Sequence, residues 1–194
     1  YYVPIPKDRD QAFAKFDGII PWIAGRKWVV RKFQTFSNDI RDVPGLNYNA
    51  RNIDHALLTE LSRDDWKQIA NELKSEVTDE KIEHAVKKFP DAIYKLDGEE
   101  IIRKLKSRRE KLVSIAERYY KYLAQYVDVI GSDKNELFEV SRIDNNSTSV
   151  KVYDIAHGEK GRLIYDRTFF RKETKEIRLY GFGDDDVFNI SGKV

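Results

Sequence analysis

Apolar positions recur at helical spacing through the middle of this chain and at every second position through its last third. Ile53, Leu57, Leu58 and Leu61 share one helical face, and Ser62-Arg63-Asp64-Asp65 forms a capping-box-like start for a helix carrying Trp66, Ile69, Ala70 and Leu73. Thr78-Asp79-Glu80 opens another, with Ile82, Ala85, Val86 and Phe89 directed inward and Pro90 as its stop. The spacing predicts a long fourth helix from Asp97, as cap, to about Val127, seamed by Ile101 or Ile102, Leu105, Leu112, Ile115, Ala116, Tyr119 and Leu123. Short connections among these helices imply antiparallel neighbours.

Beyond Gly131 the period becomes two. Glu136 to Ile143 reads as a strand, Asn145-Asn146-Ser147 as a turn and Ser149 to Ile155 as the hairpin partner. Gly158 to Gly161 turns into Arg162 to Phe169, and Lys172 to Lys175 leads into Glu176 to Phe182. Upstream of the helices, Ile19-Ile20-Pro21-Trp22-Ile23 is apolar enough to pack into a core. Lys27 to Phe36 suits a strand or extended cover, and Asp42 to Asn52 reads as an irregular connection. The expected fold class is therefore α+β: an extended N-terminal segment, a bundle of about four helices and a C-terminal antiparallel β-sheet. Residues 1–130 form the helical part and 131–194 a β meander packed on it.

Composition narrows the function classes. Charged residues make up 35 per cent of the 194, yet 35 Lys and Arg face 33 Asp and Glu, so bulk charge makes no case for a nucleic-acid partner. With no cysteine there is neither a disulfide frame nor a thiolate metal site. No apolar run approaches the ~20 residues that span a bilayer, so direct membrane insertion by this segment is not expected. The chain has no methionine and opens on Tyr1-Tyr2-Val3, which we read as a piece of a longer protein.

Candidate chemistry is concentrated at the start, in Pro4-Ile5-Pro6-Lys7-Asp8-Arg9-Asp10-Gln11-Ala12-Phe13. The two prolines hold the chain extended. If Lys7 to Gln11 continue as a strand, Asp8 and Asp10 project from one face and repel unless a cation sits between them. A hard divalent ion, Mg²⁺ or Mn²⁺, itself bridging phosphate oxygens, answers that need, with Lys7 or Arg9 beside the phosphate. The same residues also suit a solvated turn in which Asp8, Arg9 and Asp10 neutralise one another and Asp10 caps a short helix.

Two other clusters stand out. Arg103 to Lys111 holds six basic residues and one acid, either a phosphate-facing stripe or a solvated helix face with acids near it in space. Gly183-Asp184-Asp185-Asp186 is either a Ca²⁺-holding loop or a plain polar turn. His55, His84 and His157 have no partner at metal-ligand spacing, and neither a nucleophile elbow nor a phosphate-binding glycine loop occurs.

The opening decapeptide with Phe16-Asp17-Gly18 resembles a segment of large envelope proteins of Gram-negative bacteria, in which a calcineurin-like metallophosphoesterase precedes it and a surface-antigen-type outer-membrane barrel follows. The likeness continues through Asn49 to Asp54, Leu61 to Trp66, Arg108-Arg109, Tyr119-Tyr120 and Val127-Asp128-Val129, and ends at Glu176 to Gly181. It implies a cell-envelope location, periplasmic or outer-membrane associated, with other domains of the same parent chain as partners. More distantly, the region is similar to atypical kinases of the spore-coat-H type, in which a later Asp holds Mg²⁺ against the phosphates. That likeness makes Asp8 or Asp10 a metal ligand and the following helices a kinase-like C-lobe. The catalytic loop of that pattern precedes the first residue here and no nucleotide-holding N-lobe is present, so the fragment alone is expected to be inactive. The two resulting expectations are a catalytically incomplete part of a phosphoryl-transfer centre and a non-catalytic module that positions neighbouring domains at the outer membrane.

Overall fold

The computed structural model describes residues 12–16, 18–24 and 30–192, with the side chains of Pro21 and Trp22 excepted. Helices and strands are both abundant, so the α+β class holds. The helices are α1 (Ile19–Ala24), α2 (Val43–Leu46), α3 (Arg51–Leu57), α4 (Arg63–Glu76), α5 (Asp79–Val86), α6 (Asp91–Ile93), α7 (Glu99–Glu110) and α8 (Leu112–Leu123). The strands are β1 (Tyr126–Ile130), β2 (Glu136–Arg142), β3 (Ser147–Ala156), β4 (Glu159–Phe170), β5 (Glu176–Tyr180) and β6 (Val187–Ser191). They gather into two compact units, one of Tyr1–Asn49 with Lys67–Arg118, the other of Ala50–Trp66 with Tyr119–Val194.

In the first unit, α5 begins at Thr78, whose hydroxyl accepts from the Lys81 amide, with Asp79 and Glu80 in its positive first turn. Ile82 and Val86 bury against Ile101 and Ile102 of α7 and against Phe36, with Phe89, Tyr94 and Leu105 at the margin. Phe13 closes on Phe36 edge-to-face, ring centroids 5.0 Å apart. A polar knot orders residues 31–45. Arg31 grips the buried Asp42 carboxylate with two 2.9 Å bonds, Gln34 exchanges hydrogen bonds with the Asp42 backbone, and the Gly45 amide donates to Asp42 Oδ1.

In the second unit, the capping box is present at the head of α4. The Ser62 amide donates to Asp65 Oδ2 at 2.7 Å and the Asp65 amide to Ser62 Oγ at 3.3 Å. β2, β3 and β4 form the antiparallel meander, and His157 and Gly158, both at positive φ, make the two-residue β3–β4 turn. Two parallel pairings extend this pattern: β6 lies beside β2, and β1 pairs with β5 as a separate two-stranded sheet. Val127 and Val129 of β1 pack with Phe138, Val150, Val152 and Phe169 in a core that Ile177 and Leu179 of β5 complete. Beside it, the buried Glu136 carboxylate accepts from the Ser132 amide and hydroxyl, which satisfies a polar group shielded from water.

Several expectations are corrected. The predicted long helix breaks at Lys111, whose amide turns back to Ser107 and Arg108 carbonyls, and the chain from Tyr126 is a strand. Val127, Val129 and their neighbours alternate, and the period-two burial available beside β5 outweighs helix continuation. Asp97 does not cap α7. It lies in a single π-helical stretch, Tyr94–Gly98, and its carboxylate pairs with Lys15. Ile19 and Ile20 stand mostly exposed on α1 rather than in a core, and of the two readings for Lys27 to Phe36 the strand fails over the described residues 30–36, which form turns and irregular chain. On α4 only Ala70 is fully buried, while Ile69 and Leu73 remain half exposed. Among the described residues no helix is long and apolar enough to cross a membrane.

Candidate anion-binding site

The second unit carries a cluster of cations around the turn between β4 and β5. β4 ends in Tyr165, Arg167 and Phe169 on one face, with Arg167 and Phe169 buried, because alternate residues of a strand share a side. At Phe170 the chain doubles back. The Glu173 and Thr174 amides both donate to the Phe170 carbonyl, the Arg171 amide to Asn146 and the Lys175 amide to Gln125. Thr174 is buried, so this turn is anchored at its centre and along its backbone.

That anchoring decides where the side chains go. Glu173 points inward, where its Oε2 accepts a 2.8 Å hydrogen bond from the Tyr120 hydroxyl and its Oε1 lies 3.6 Å from Arg63 Nη1. Beneath it, Arg167 donates to the Tyr120 oxygen and to the Thr59 carbonyl, which also accepts from the Tyr165 hydroxyl. Arg167 lies over Phe169, 4.6 Å from the ring centroid, so a buried guanidinium is held by carbonyl, hydroxyl and aromatic face. Burial, and then the Glu173 carboxylate, push the Tyr120 phenol up to about 12.

Arg171, Lys172 and Lys175 point outward. With Arg63 and Lys121 they line a cleft of about 480 Å³ whose remaining lining is Gln125 and Glu173. The one carboxylate of the lining is engaged by Tyr120 and paired with Arg63, which leaves four other cations on the cleft. Among the described residues, Lys121, Arg171, Lys172 and Lys175 carry no ion pair; Lys172 and Lys175 each rest near an aromatic ring, Phe170 and Tyr126. Chemically the cleft suits an anion with several acceptor oxygens. Guanidinium forks give directed bonds to such a group and ammonium groups supply point charge.

The basic run of α7 is disposed differently. Lys104 pairs with Glu100 at 2.5 Å, Lys106 with Glu83 and Asp79, and Arg109 with Asp79 at 2.6 Å. Arg103 and Lys111 bond to Asn38, and Arg108 donates to the Ser37 carbonyl while lying 4.2 Å from the Phe36 ring centroid. The Lys106 and Arg109 donors hold the Asp79 carboxyl below the usual carboxylate range. These cations tie α7 to α5 and to the 37–38 loop.

Lys7, Asp8, Arg9 and Asp10, the candidate metal-phosphate residues, lie outside the described residues. In the acidic turn, Asp186 Oδ1 accepts from the Glu136 amide at 2.9 Å and the Asp185 amide donates to Asn135. Among the described residues no three His, Asp or Glu side chains converge as a metal-binding group. In the sequence Lys172 to Lys175 reads only as a connection. The sole signal was the density of charge in Arg171-Lys172-Glu173-Thr174-Lys175, which says nothing of Arg63 and Lys121 arriving from α4 and α8.

No protein-family model, curated protein or solved structure significantly matches this chain.

Proposed function

We propose that this chain is a non-catalytic binding module of a bacterial envelope protein, and that it holds a phosphate-bearing partner in the cleft around Arg171, Lys172 and Lys175. The observation that supports this reading is that four cations of one cleft, Lys121, Arg171, Lys172 and Lys175, carry no ion pair among the described residues, while its single carboxylate is bonded to Tyr120 and paired with Arg63. Like charges gathered at one surface repel, and an anion seated among them relieves that repulsion. The cleft offers donors and positive charge, which favour retention of an anion over proton transfer. The envelope setting, beside a metallophosphoesterase in the same parent chain, is carried by the resemblance of the opening segment and its downstream matches. In that setting the module would keep a phosphorylated partner near the neighbouring domain.

The test is titration of inorganic phosphate into the chain, followed by amide chemical shifts. Saturable shifts at Arg171 to Lys175 are expected, weakening with added salt and lost in Lys172→Glu/Lys175→Glu. Absence of saturable shifts, or equal binding by the double variant, would overturn the reading. The metal-phosphate proposal for Asp8 and Asp10 has its own test. It requires Mg²⁺ binding by calorimetry that Asp8→Asn/Asp10→Asn abolishes.

A further inference from the structure

The β4–β5 turn lines a second cleft as well, also of about 480 Å³. Arg171 and Lys175 belong to both. The second cleft adds Arg142 from the end of β2, together with the side-chain amides of Asn145 and Asn146 in the β2–β3 turn and the hydroxyl of Thr148 in β3. Its two carboxylates differ. Asp144 is occupied, accepting the Asn146 amide at 2.7 Å, and that bond leads the interactions holding its carboxyl below the ordinary range. Glu176 opens β5 opposite Tyr126.

We infer that the two clefts act as one site for a ligand carrying two phosphate groups, one seated in each, with Arg171 and Lys175 between them. This rests on the phosphate-binding reading of the first cleft and names the ligand class for it. The shared residues sit on a turn whose amides are pinned to Phe170, Asn146 and Gln125, so the backbone that carries both subsites is held before any ligand arrives. A ligand of matching span then binds its second phosphate as an intramolecular event. Affinity rises without any new kind of contact. The neutral donors of the second cleft add hydrogen bonds to phosphate oxygens that do not depend on charge alone.

A diphosphate of this kind occurs free in solution and on lipid headgroups, and the experiment has an arm for each. Calorimetry with orthophosphate, pyrophosphate and tripolyphosphate is run on the parent sequence and on Arg142→Gln, Lys172→Gln and Arg162→Gln. Arg162 is an exposed β4 residue lining neither cleft, so its variant makes the same change in net charge away from the site. Pyrophosphate or tripolyphosphate is expected to bind at least about a hundredfold more tightly than orthophosphate, the low end of what linked sites give. Arg142→Gln should remove most of that gain and leave orthophosphate binding within about twofold, Lys172→Gln should weaken every ligand, and Arg162→Gln should change none. The lipid arm measures co-sedimentation with phosphatidylcholine vesicles containing cardiolipin or an equal phosphate content of phosphatidic acid. Preference for cardiolipin assigns a lipid source, and no preference with tight tripolyphosphate binding assigns a soluble one. Equal affinity for the mono- and oligophosphates, or equal loss in Arg142→Gln and Arg162→Gln, would overturn the two-cleft site while leaving the first cleft standing. Failure of orthophosphate and tripolyphosphate alike would remove the underlying reading too.

Discussion

Tyr120 and Glu173 are joined by a 2.8 Å hydrogen bond between the last turns of α8 and the β4–β5 turn. It holds the single carboxylate of the cationic cleft in an inward position, with Arg167 donating to the same phenol oxygen from below. Removing the hydroxyl in Tyr120→Phe leaves Glu173 short of a partner in a half-buried place, and a loss of about 1–3 kcal/mol in urea unfolding is expected. A variant as stable as the parent would show that the bond contributes nothing net.

The same phenol makes stability fall at high pH. Its folded-state value, pushed up to about 12, stands above the ordinary 10.0. Between those values the folded chain holds a proton that the unfolded chain releases, so the Tyr120 contribution is complete below pH 10 and is lost as pH climbs toward 12. Urea midpoints from pH 9 to 11.5 should decline less steeply in Tyr120→Phe than in the parent. Parallel declines would exclude Tyr120 as a source.

At the acid end the opposite sign applies. Asp79 is held low by Lys106 and then Arg109, Glu110 by Lys74 and then Arg109, and Glu100 by Lys104 and then Lys15. Each folded carboxyl gives up its proton more readily than its unfolded counterpart. Their contribution is therefore present above the ordinary values of 3.8 and 4.5 and is lost as pH falls below them. Asp79→Asn should flatten the stability profile between pH 5 and 3, and an unchanged slope would show that solvent screens these exposed pairs completely.

Ser62→Ala removes half of the capping box at the head of α4. The Asp65 amide loses its acceptor and the Asp65 carboxylate loses the 2.6 Å bond from Ser62 Oγ. A loss of about 0.5–2 kcal/mol is expected, with Ser62→Thr retaining most of the stability. Equal behaviour of the two variants would refute the cap.

Gly131, at the end of β1, faces a crowded corner. A Cβ there would lie 2.6 Å from Glu136 Oε2 and 3.1 Å from both the Phe138 ring and the Tyr180 carbonyl oxygen. The Gly131 amide also donates to that carbonyl at 2.8 Å, so the backbone cannot retreat without loosening β1 from β5. Gly131→Ala should destabilise by about 1–3 kcal/mol. A neutral result would mean that the β1–β5 pair yields easily.

The sequence by itself determined the elements whose signals are local. Thr78 and the Ser62–Asp65 pair announce helix starts because a cap is satisfied within four residues. The β2–β3–β4 meander is legible because alternation and turn residues lie next to each other in the chain. The bonds that end α7 at Lys111 are equally local, yet the apolar seam runs across the break and its spacing predicts one continuous helix. Tertiary structure alone decided the strand character of Val127 to Ile130, since its partner, β5, begins some fifty residues later. It also decided which cations are bonded within the fold and which face solvent. The α7 run is the denser in sequence, but α5 and the 37–38 loop bring it acids and backbone acceptors. The sparser Arg63, Lys121 and Arg171 to Lys175 converge on one cleft because α4, α8 and a pinned turn meet there. Charge density is a property of sequence, whereas compensation depends on distance through space.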